Sequence, residues 1–246
     1  MPVAASYDTI GRTYNETRGE DPRIAAILHA ALGDARTVVN VGAGTGHYEP
    51  RDRWVLAVEP SETMIAQRPR SAAPVIRAHA ESLPLADATV DAAMAVMTVH
   101  HWADWRSGIA EMRRVARERL VVWSFDPKAI DGLWLVRDYI PQLIEFERVR
   151  CPPVDELAAA MGGARVEPVP IPRDCRDGVL AAFYARPERY LDPVVRAGMS
   201  PFATLEAHAG LQRLADDLDS GAWEERHGHV RELSELDAGY RLLVAG

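Results

Sequence analysis

The sequence predicts an α/β fold, a seven-stranded, mostly parallel, doubly wound sheet with a helical cover, and three observations carry that prediction. Short apolar runs at Thr37 to Val41, Trp54 to Val58, Val75 to Ala78, Val90 to Met97 and Leu120 to Trp123 alternate with helix-patterned stretches, the order of a parallel sheet with right-handed crossovers. Val38-Val39-Asn40-Val41 runs straight into Gly42-Ala43-Gly44-Thr45-Gly46, where glycine at every second position lets the backbone turn sharply and approach a ligand closely. Glu59 ends the second run, seventeen residues after Gly42, where an acidic residue in such sheets grips two ribose hydroxyls. Turn, strand and acid together describe a nucleoside-binding site.

Taken in order, the elements follow from local chemistry. The first thirty-odd residues read as an amphipathic helix weakened by Gly11 and Gly19, with Tyr7, Tyr14 and Arg18 on one face at about 100° per residue. Only His47 to Arg53 separate the glycine turn from the second strand, and Pro50 interrupts them, so the usual first crossover helix is expected as a single turn. Ser61 is a suitable N-cap for the helix holding Met64 and Ile65, and Asp104 precedes one on which Ile109, Met112 and Ala116 form an apolar stripe. After Asp126-Pro127 the pattern is less regular. A helix from Trp134 to Val149 should break at Pro141, and another from Val154 to Met161 should stop at Gly162-Gly163. Arg165 to Ile171 reads as a sixth strand that Pro168 and Pro170 confine to an edge. Residues 177–220 read as mostly helical, and Tyr240 to Ala245 as the final strand. The chain is expected to be one domain over residues 1–246: an N-terminal helical lid (1–34), a ligand-binding core (35–126), substrate-side helical insertions (127–238) and the last strand (239–246).

Composition narrows the function classes. Hydrophobic content of 48% and charged content of 26% are those of a globular protein, and no stretch approaches the roughly 20 apolar residues of a membrane span. The N-terminal residues show no basic segment followed by an apolar core, so a cytoplasmic protein is expected. A net charge of −8 argues against nucleic acid. Arg113, Arg114, Arg117 and Arg119 alternate with Glu111 and Glu118, as on a solvated helix face. Cys151 and Cys175 lack metal or redox spacing and are expected as free thiols. His227 and His229 have no evident third ligand, so a solvated loop and no metal are expected there.

The glycine turn also discriminates between nucleosides. Dinucleotide folds have a third glycine three residues after the second, close to a pyrophosphate. His47 holds that place here, and the glycine falls one residue early at Gly46. A ligand with a ribose but no phosphate fits better, and a nicotinamide oxidoreductase is correspondingly disfavoured. His100 and His101 stand at the carboxyl end of the fourth strand, where open sheets bind ligands and where a histidine can take a proton near neutral pH. The alternative places one under Trp102 and the other on a backbone group. Trp134, Tyr139, Phe146, Phe183, Tyr184, Tyr190 and Phe202 either wall an acceptor pocket, two or three of them touching substrate, or form core.

Four ordered segments, Val38 to Gly46, Ala57-Val58-Glu59-Pro60-Ser61, Ala80-Glu81-Ser82-Leu83-Pro84-Leu85, and Val90 to Ala95 through His100-His101-Trp102, resemble the class I S-adenosylmethionine-dependent methyltransferases of the bacterial type 11 domain group. The resemblance is strong over residues 35–126. It implies a Rossmann-like fold, S-adenosylmethionine as cofactor, and methyl transfer to a small-molecule acceptor on O, N or C, by a monomer or homodimer. A repurposed fold used for elimination or ring closure, or a cofactor-binding pseudoenzyme, is the alternative. By the same resemblance Gly42, Ala43, Gly44 and Gly46 wrap the methionine and ribose. Glu59 takes the ribose hydroxyls with Pro60 beside it, Met64 covers the adenine, Ala80 and Glu81 meet its amino edge, and the Met97 and Thr98 backbone lies beneath the sulfonium. Read functionally, the N-terminal stripe closes over the cofactor with Arg18 pairing the methionine carboxylate and Tyr14 facing the methyl group; read structurally, it docks on the sheet. His100 or His101 would act as base where the acceptor must lose a proton. Asn40 stands where the family often has aspartate and brings no charge toward the ammonium, which implies either a lower affinity or a charge supplied by Glu49.

Overall fold

Along β1 (Thr37–Val41) Val38 belongs to one apolar cluster, and Val39 and Val41 to another. The same period of two continues in β4 (Val90–Val96), where Ala92 and Met94 oppose Ala93 and Ala95. Strands covered on both faces are the signature of a parallel sheet wrapped by helices. The computed structural model describes residues 14–246. The expected N-terminal lid is therefore described only from Tyr14, and Tyr7 lies outside the described residues.

The main sheet has seven strands in the order β3-β2-β1-β4-β5-β9-β6, with β2 (Trp54–Val58), β3 (Val75–Ile76), β5 (Ala116–Phe125), β6 (Arg165–Pro168) and β9 (Tyr240–Ala245) completing it. β3, β2, β1, β4 and β5 run parallel, and β9 lies antiparallel between β5 and β6. The order reverses between β1 and β4. That switch point opens a crevice at the strand carboxyl ends.

One face packs against the helix Pro22–Ala31, capped by Asp21, and against the chain after β5. The other packs against Trp105–Val115 and Val154–Ala160. Ile109, Met112 and Val115 are fully buried on the second face, each contributing roughly 1.5–3 kcal/mol of apolar burial. Ser61 and Asp104 cap their helices as expected, accepting from Met64 N–H at 3.3 Å and from Arg106 N–H at 3.0 Å.

Several elements differ from expectation for physical reasons. β5 is longer at both ends, because β9 pairs with it from Leu120–Ala245 to Phe125–Tyr240 and Ala116 pairs with Val90. Residues 47–53 form turns and no helix. Tyr48 adopts φ +65 there, buries its ring edge-on against Trp123 at 5.5 Å, and donates its N–H to Glu20. The sixth strand stops at Pro168, and Ile171–Pro172 pairs instead with Glu235–Leu236 as a separate two-stranded sheet. The span 177–220 is mostly helical but in pieces, 3₁₀ at Leu180–Phe183, Pro187–Leu191 and Ser200–Ala203 and α at Pro193–Ala197 and His208–Ser220. Prolines at 187, 193 and 201 start new turns where a continuous helix would need their N–H.

Gly108 tests the packing of the segment after β4. A Cβ there would come within 2.3 Å of the Trp102 ring, whereas one at Gly132 would meet nothing within 4 Å. Gly108→Ala is expected to destabilise the fold by about 1–3 kcal/mol and Gly132→Ala to leave it unchanged, measured by urea denaturation. Coincident midpoints would contradict the packing.

Candidate active site

The glycine turn is shaped by backbone geometry. Gly42, Gly44 and Gly46 have φ of +70, +53 and +95, a region that side chains disfavour. Gly42 is excluded from substitution twice, since an added Cβ would also lie 2.1 Å from Thr98 Oγ1. The Gly44 peptide unit is gripped on both sides. Its N–H donates to Glu59 Oε2 at 2.8 Å, and its carbonyl accepts from Arg68 Nη1 at 3.0 Å. Glu59 Oε1 accepts from Ser61 N–H at 2.9 Å. These two bonds orient a buried carboxylate able to accept about four.

Behind the turn, Arg68 Nη2 lies 2.7 and 2.9 Å from the two carboxylate oxygens of Glu49. Both side chains are nearly inaccessible, at 5% and 6%. Glu49 also accepts from Ala73 N–H and from Asn40 Nδ2. The expectation that Glu49 lends charge to a ligand is thus corrected: its charge is met by Arg68 and it does not line the cavity. Its effect is indirect. By taking the amide of Asn40, it leaves Asn40 Oδ1 buried at the cavity wall without a partner.

The cavity at the switch point has a volume of about 520 Å³, within the range for small-molecule sites. Asn40, Gly42 to Thr45, Glu59 to Ser61, Met64, Arg77, His79 to Glu81 and Val96 to Thr98 line it from the sheet side. His101 to Ala103 and Trp123 extend the wall, and Tyr14, Arg18 and Asp177 close it. Of the anticipated residues, Tyr14, Arg18, Asn40, Gly42, Ala43, Gly44, Glu59, Pro60, Met64, Ala80, Glu81, Met97 and His101 meet there. Gly46 turns away toward Ala72, Glu49 and Arg68. Met97, at the end of β4, holds φ +49, uncommon for a side chain of its size and frequent at binding sites.

Thr45, His47, Tyr48, Trp123 and Asp177 also line the cavity and carry no sequence signal for it. Asp177 is the most consequential. It is 1% exposed and pairs with Arg18 through Nε at 2.5 Å and Nη2 at 3.2 Å. Tyr48 Oη donates to the same carboxylate at 3.0 Å and accepts from Asp21 N–H at 3.3 Å. Arg18 also lies over the Tyr14 ring at 5.1 Å, and Tyr14 stacks near His47 at 6.2 Å. Arg18 thus reaches the expected place, with its guanidinium ion-paired to Asp177.

His101 lines this cavity, whereas His100 lines a smaller adjoining one. Their rings are 4.0 Å apart in a 3₁₀ turn, Val99–His101. Burial, reinforced by Arg150 and Arg18, pushes His101 down to about 3, and burial next to His101 and Arg150 takes His100 well below its ordinary value. These shifts hold both rings neutral near neutral pH and make them weak bases.

Other expectations are also revised. Trp134, Tyr139, Phe183, Tyr184 and Tyr190 are buried core, and no aromatic from that set lines either cavity. Trp134 alone packs against Tyr139, Tyr190, Trp223 and His227. His227 is buried, stacked on Trp134 with Nε2 3.0 Å from Asp138, and does not sit in a solvated loop. Cys151 and Cys175 are free and buried. Arg114 and Arg117 form ion pairs with Glu111, Asp87 and Asp91. Among the described residues no group of three metal-binding side chains occurs, and no helix is long and apolar enough to cross a membrane.

Known proteins match the same segments. Residues 39–121 fit the family model described as a methyltransferase domain. The chain is 31% identical over 123 residues to malonyl-[acyl-carrier protein] O-methyltransferase of Erwinia pyrifoliae, 47% of each chain. It is 29% identical over 154 residues to demethylmenaquinone methyltransferase of Corynebacterium urealyticum, 56% of this chain and 66% of that one. The chain therefore spans about half to two thirds of the length of these curated relatives. The likeness is fuller to a crystal structure from Anabaena variabilis, described as a methyltransferase candidate from an antibiotic biosynthesis pathway. Identity is 32% and the TM-score 0.86, covering 94% of this chain and 99% of that one.

Two outcomes follow from the site's construction. Arg68→Met leaves Glu49 buried and unpaired, and a loss of about 3–5 kcal/mol is expected in denaturant unfolding; a loss below about 1 kcal/mol would show that the pair does not hold the turn. His47, His100, His101 and His227 all lie below their ordinary value of 6.5, burial being the first cause in each. The unfolded chain therefore binds more protons, and stability should fall as pH drops from about 6.5 toward 4. Thermal midpoints should decline across that window, less steeply in His101→Gln, and a flat profile would contradict the burial.

Proposed function

The chain belongs to the class I S-adenosylmethionine-dependent methyltransferases of the type 11 domain family, and on that footing we propose that it methylates a small molecule in the cavity at the switch point. One observation supports this reading above others. Glycine turn, buried Glu59, residues 79–81 and the end of β4 all line one cavity, the four parts an adenosyl sulfonium cofactor requires. Buried polar atoms lacking partners, Asn40 Oδ1 and Thr45 Oγ1, suit the donors and acceptors of such a ligand.

In this reading Glu59 accepts from the ribose hydroxyls, and the Gly42 to Gly44 backbone, Ala43 included, follows the ribose and methionine portions. Met64, with its terminal methyl 3.3 Å from where a Gly44 Cβ would lie, covers the adenine beside Pro60, while Ala80 and Glu81 border its amino edge. Asn40 Oδ1 accepts from the ammonium. Arg18 stands beside the methionine portion with its guanidinium ion-paired to Asp177. Tyr14 and Met97 flank the reacting centre.

When bound, the cofactor supplies an activated methyl group on a sulfonium. The protein's part is chiefly to hold the acceptor in line and to exclude water, an advantage worth roughly 7–11 kcal/mol where alignment is good. His101, neutral and poorly basic, orients the acceptor by hydrogen bonding, so the acceptor atom enters already nucleophilic. The relatives named for a malonyl carrier protein and for demethylmenaquinone align with about half of this chain. Asp177 and most of the walls of the adjoining smaller cavity come from the segment between β5 and β9, which supports placing acceptor choice there. The Anabaena protein's description supports a small acceptor.

Glu59→Ala is expected to weaken S-adenosylmethionine binding by about 1–3 kcal/mol, read by calorimetry, with Glu59→Gln intermediate because it preserves the shape of the turn. An unchanged dissociation constant would show that the ribose lies elsewhere.

A further inference from the structure

A second cavity of about 60 Å³ adjoins the first, and Arg18, Met97 and His101 line both. Its outer wall comes from the chain after β5, including Glu147, Arg150, Met199 and Ser200, with His100 opposite. Arg150 is fixed there: Nη2 lies 3.0 and 3.1 Å from the Glu147 oxygens, and Nη1 donates to Ser200 Oγ at 2.8 Å. Its Nε–H is buried without a partner, and so is Nδ1 of His100. Buried polar atoms are nearly always satisfied. Two orphans on residues that line one small cavity therefore point to a polar group that enters it. The volume exceeds the ~10–15 Å³ one water needs and accommodates a group of a few atoms.

Charge decides which group. Glu147 already balances Arg150, and Asp177 balances Arg18. Burial keeps both imidazoles neutral. A carboxylate would stand against Glu147 without a matching cation, whereas an uncharged carbonyl oxygen needs only donors. Arginine Nε–H can only donate, and His100 donates in its Nδ1–H tautomer.

We propose that this recess anchors the methyl acceptor by a neutral carbonyl oxygen, of a ketone, ester or amide, received by Arg150 Nε–H and His100 Nδ1–H. The proposal rests on the reading of the larger cavity as the cofactor site, since only then does the shared wall of Met97 and His101 face the reacting methyl group.

The test uses protein saturated with S-adenosylhomocysteine, into which acetone and, separately, acetate are titrated at constant ionic strength while the His100 ring nitrogens are followed by NMR. Acetone should shift Nδ1 saturably, and acetate should bind at least tenfold more weakly. Arg150→Lys keeps a cation opposite Glu147 but removes Nε–H. Met199→Phe fills the recess without touching the ion pair. Each should weaken acetone at least fivefold while S-adenosylhomocysteine affinity is unchanged. An unmoved His100, tighter binding of acetate, or acetone binding that survives both substitutions overturns the subsite while leaving the cofactor reading intact. Failure of S-adenosylhomocysteine to bind the unsubstituted protein overturns that reading, and the subsite with it.

Discussion

The peptide unit of Gly44 is fixed by two charged side chains, Glu59 on its N–H and Arg68 on its carbonyl, and the cavity takes its shape from that grip. Each anchor leads to a different part of the molecule. Glu59 ties the turn to the end of β2 and to the helix that Ser61 caps. Arg68 ties it to Glu49, and through Glu49 to Asn40 and Ala73. Both carboxylates are buried, so the low local dielectric makes breaking either arrangement costly. A flexible glycine sequence thereby becomes a rigid ligand-facing surface, with a crossover too short to form a helix.

The half of the fold that forms the cofactor side was legible because its signals are local. A β-branched run followed by glycines is readable within nine residues, and Glu59 is one strand away. Parallel order and helix caps follow from the same short-range chemistry. Asp177 was not legible, because it meets Arg18 across 159 residues and Tyr48 across 129. Nothing around Asp177 in the sequence marks it as a cavity residue. His227 was misread for a related reason: its charged neighbours in sequence suggest solvent, yet tertiary stacking on Trp134 buries it. The aromatics after β5 show the limit of composition. They form core, and the smaller cavity is walled instead by Arg150, Glu147, Ser200 and the His100 turn.

The electrostatics of the site divide along the same line. On the proposed cofactor side, the Glu59 carboxylate and the carbonyl of Asn40 would offer acceptors to hydroxyl and ammonium donors. On the proposed acceptor side, charges are paired internally and the histidines are neutral, so selection there would depend on donor geometry and shape. A sulfonium needs no acid or base to make its methyl group transferable, which is why neutral, weakly basic imidazoles are compatible with the reaction. Membership of the family fixes the cofactor, while the chain between β5 and β9 shapes what meets it.

The most direct measurement is a crystal structure with S-adenosylhomocysteine bound. The account predicts ribose hydroxyls on Glu59, the amino group at Asn40 Oδ1, and the sulfur facing Met97 and His101. A ribose held away from Glu59, or a sulfur directed away from the shared wall of the two cavities, would contradict it.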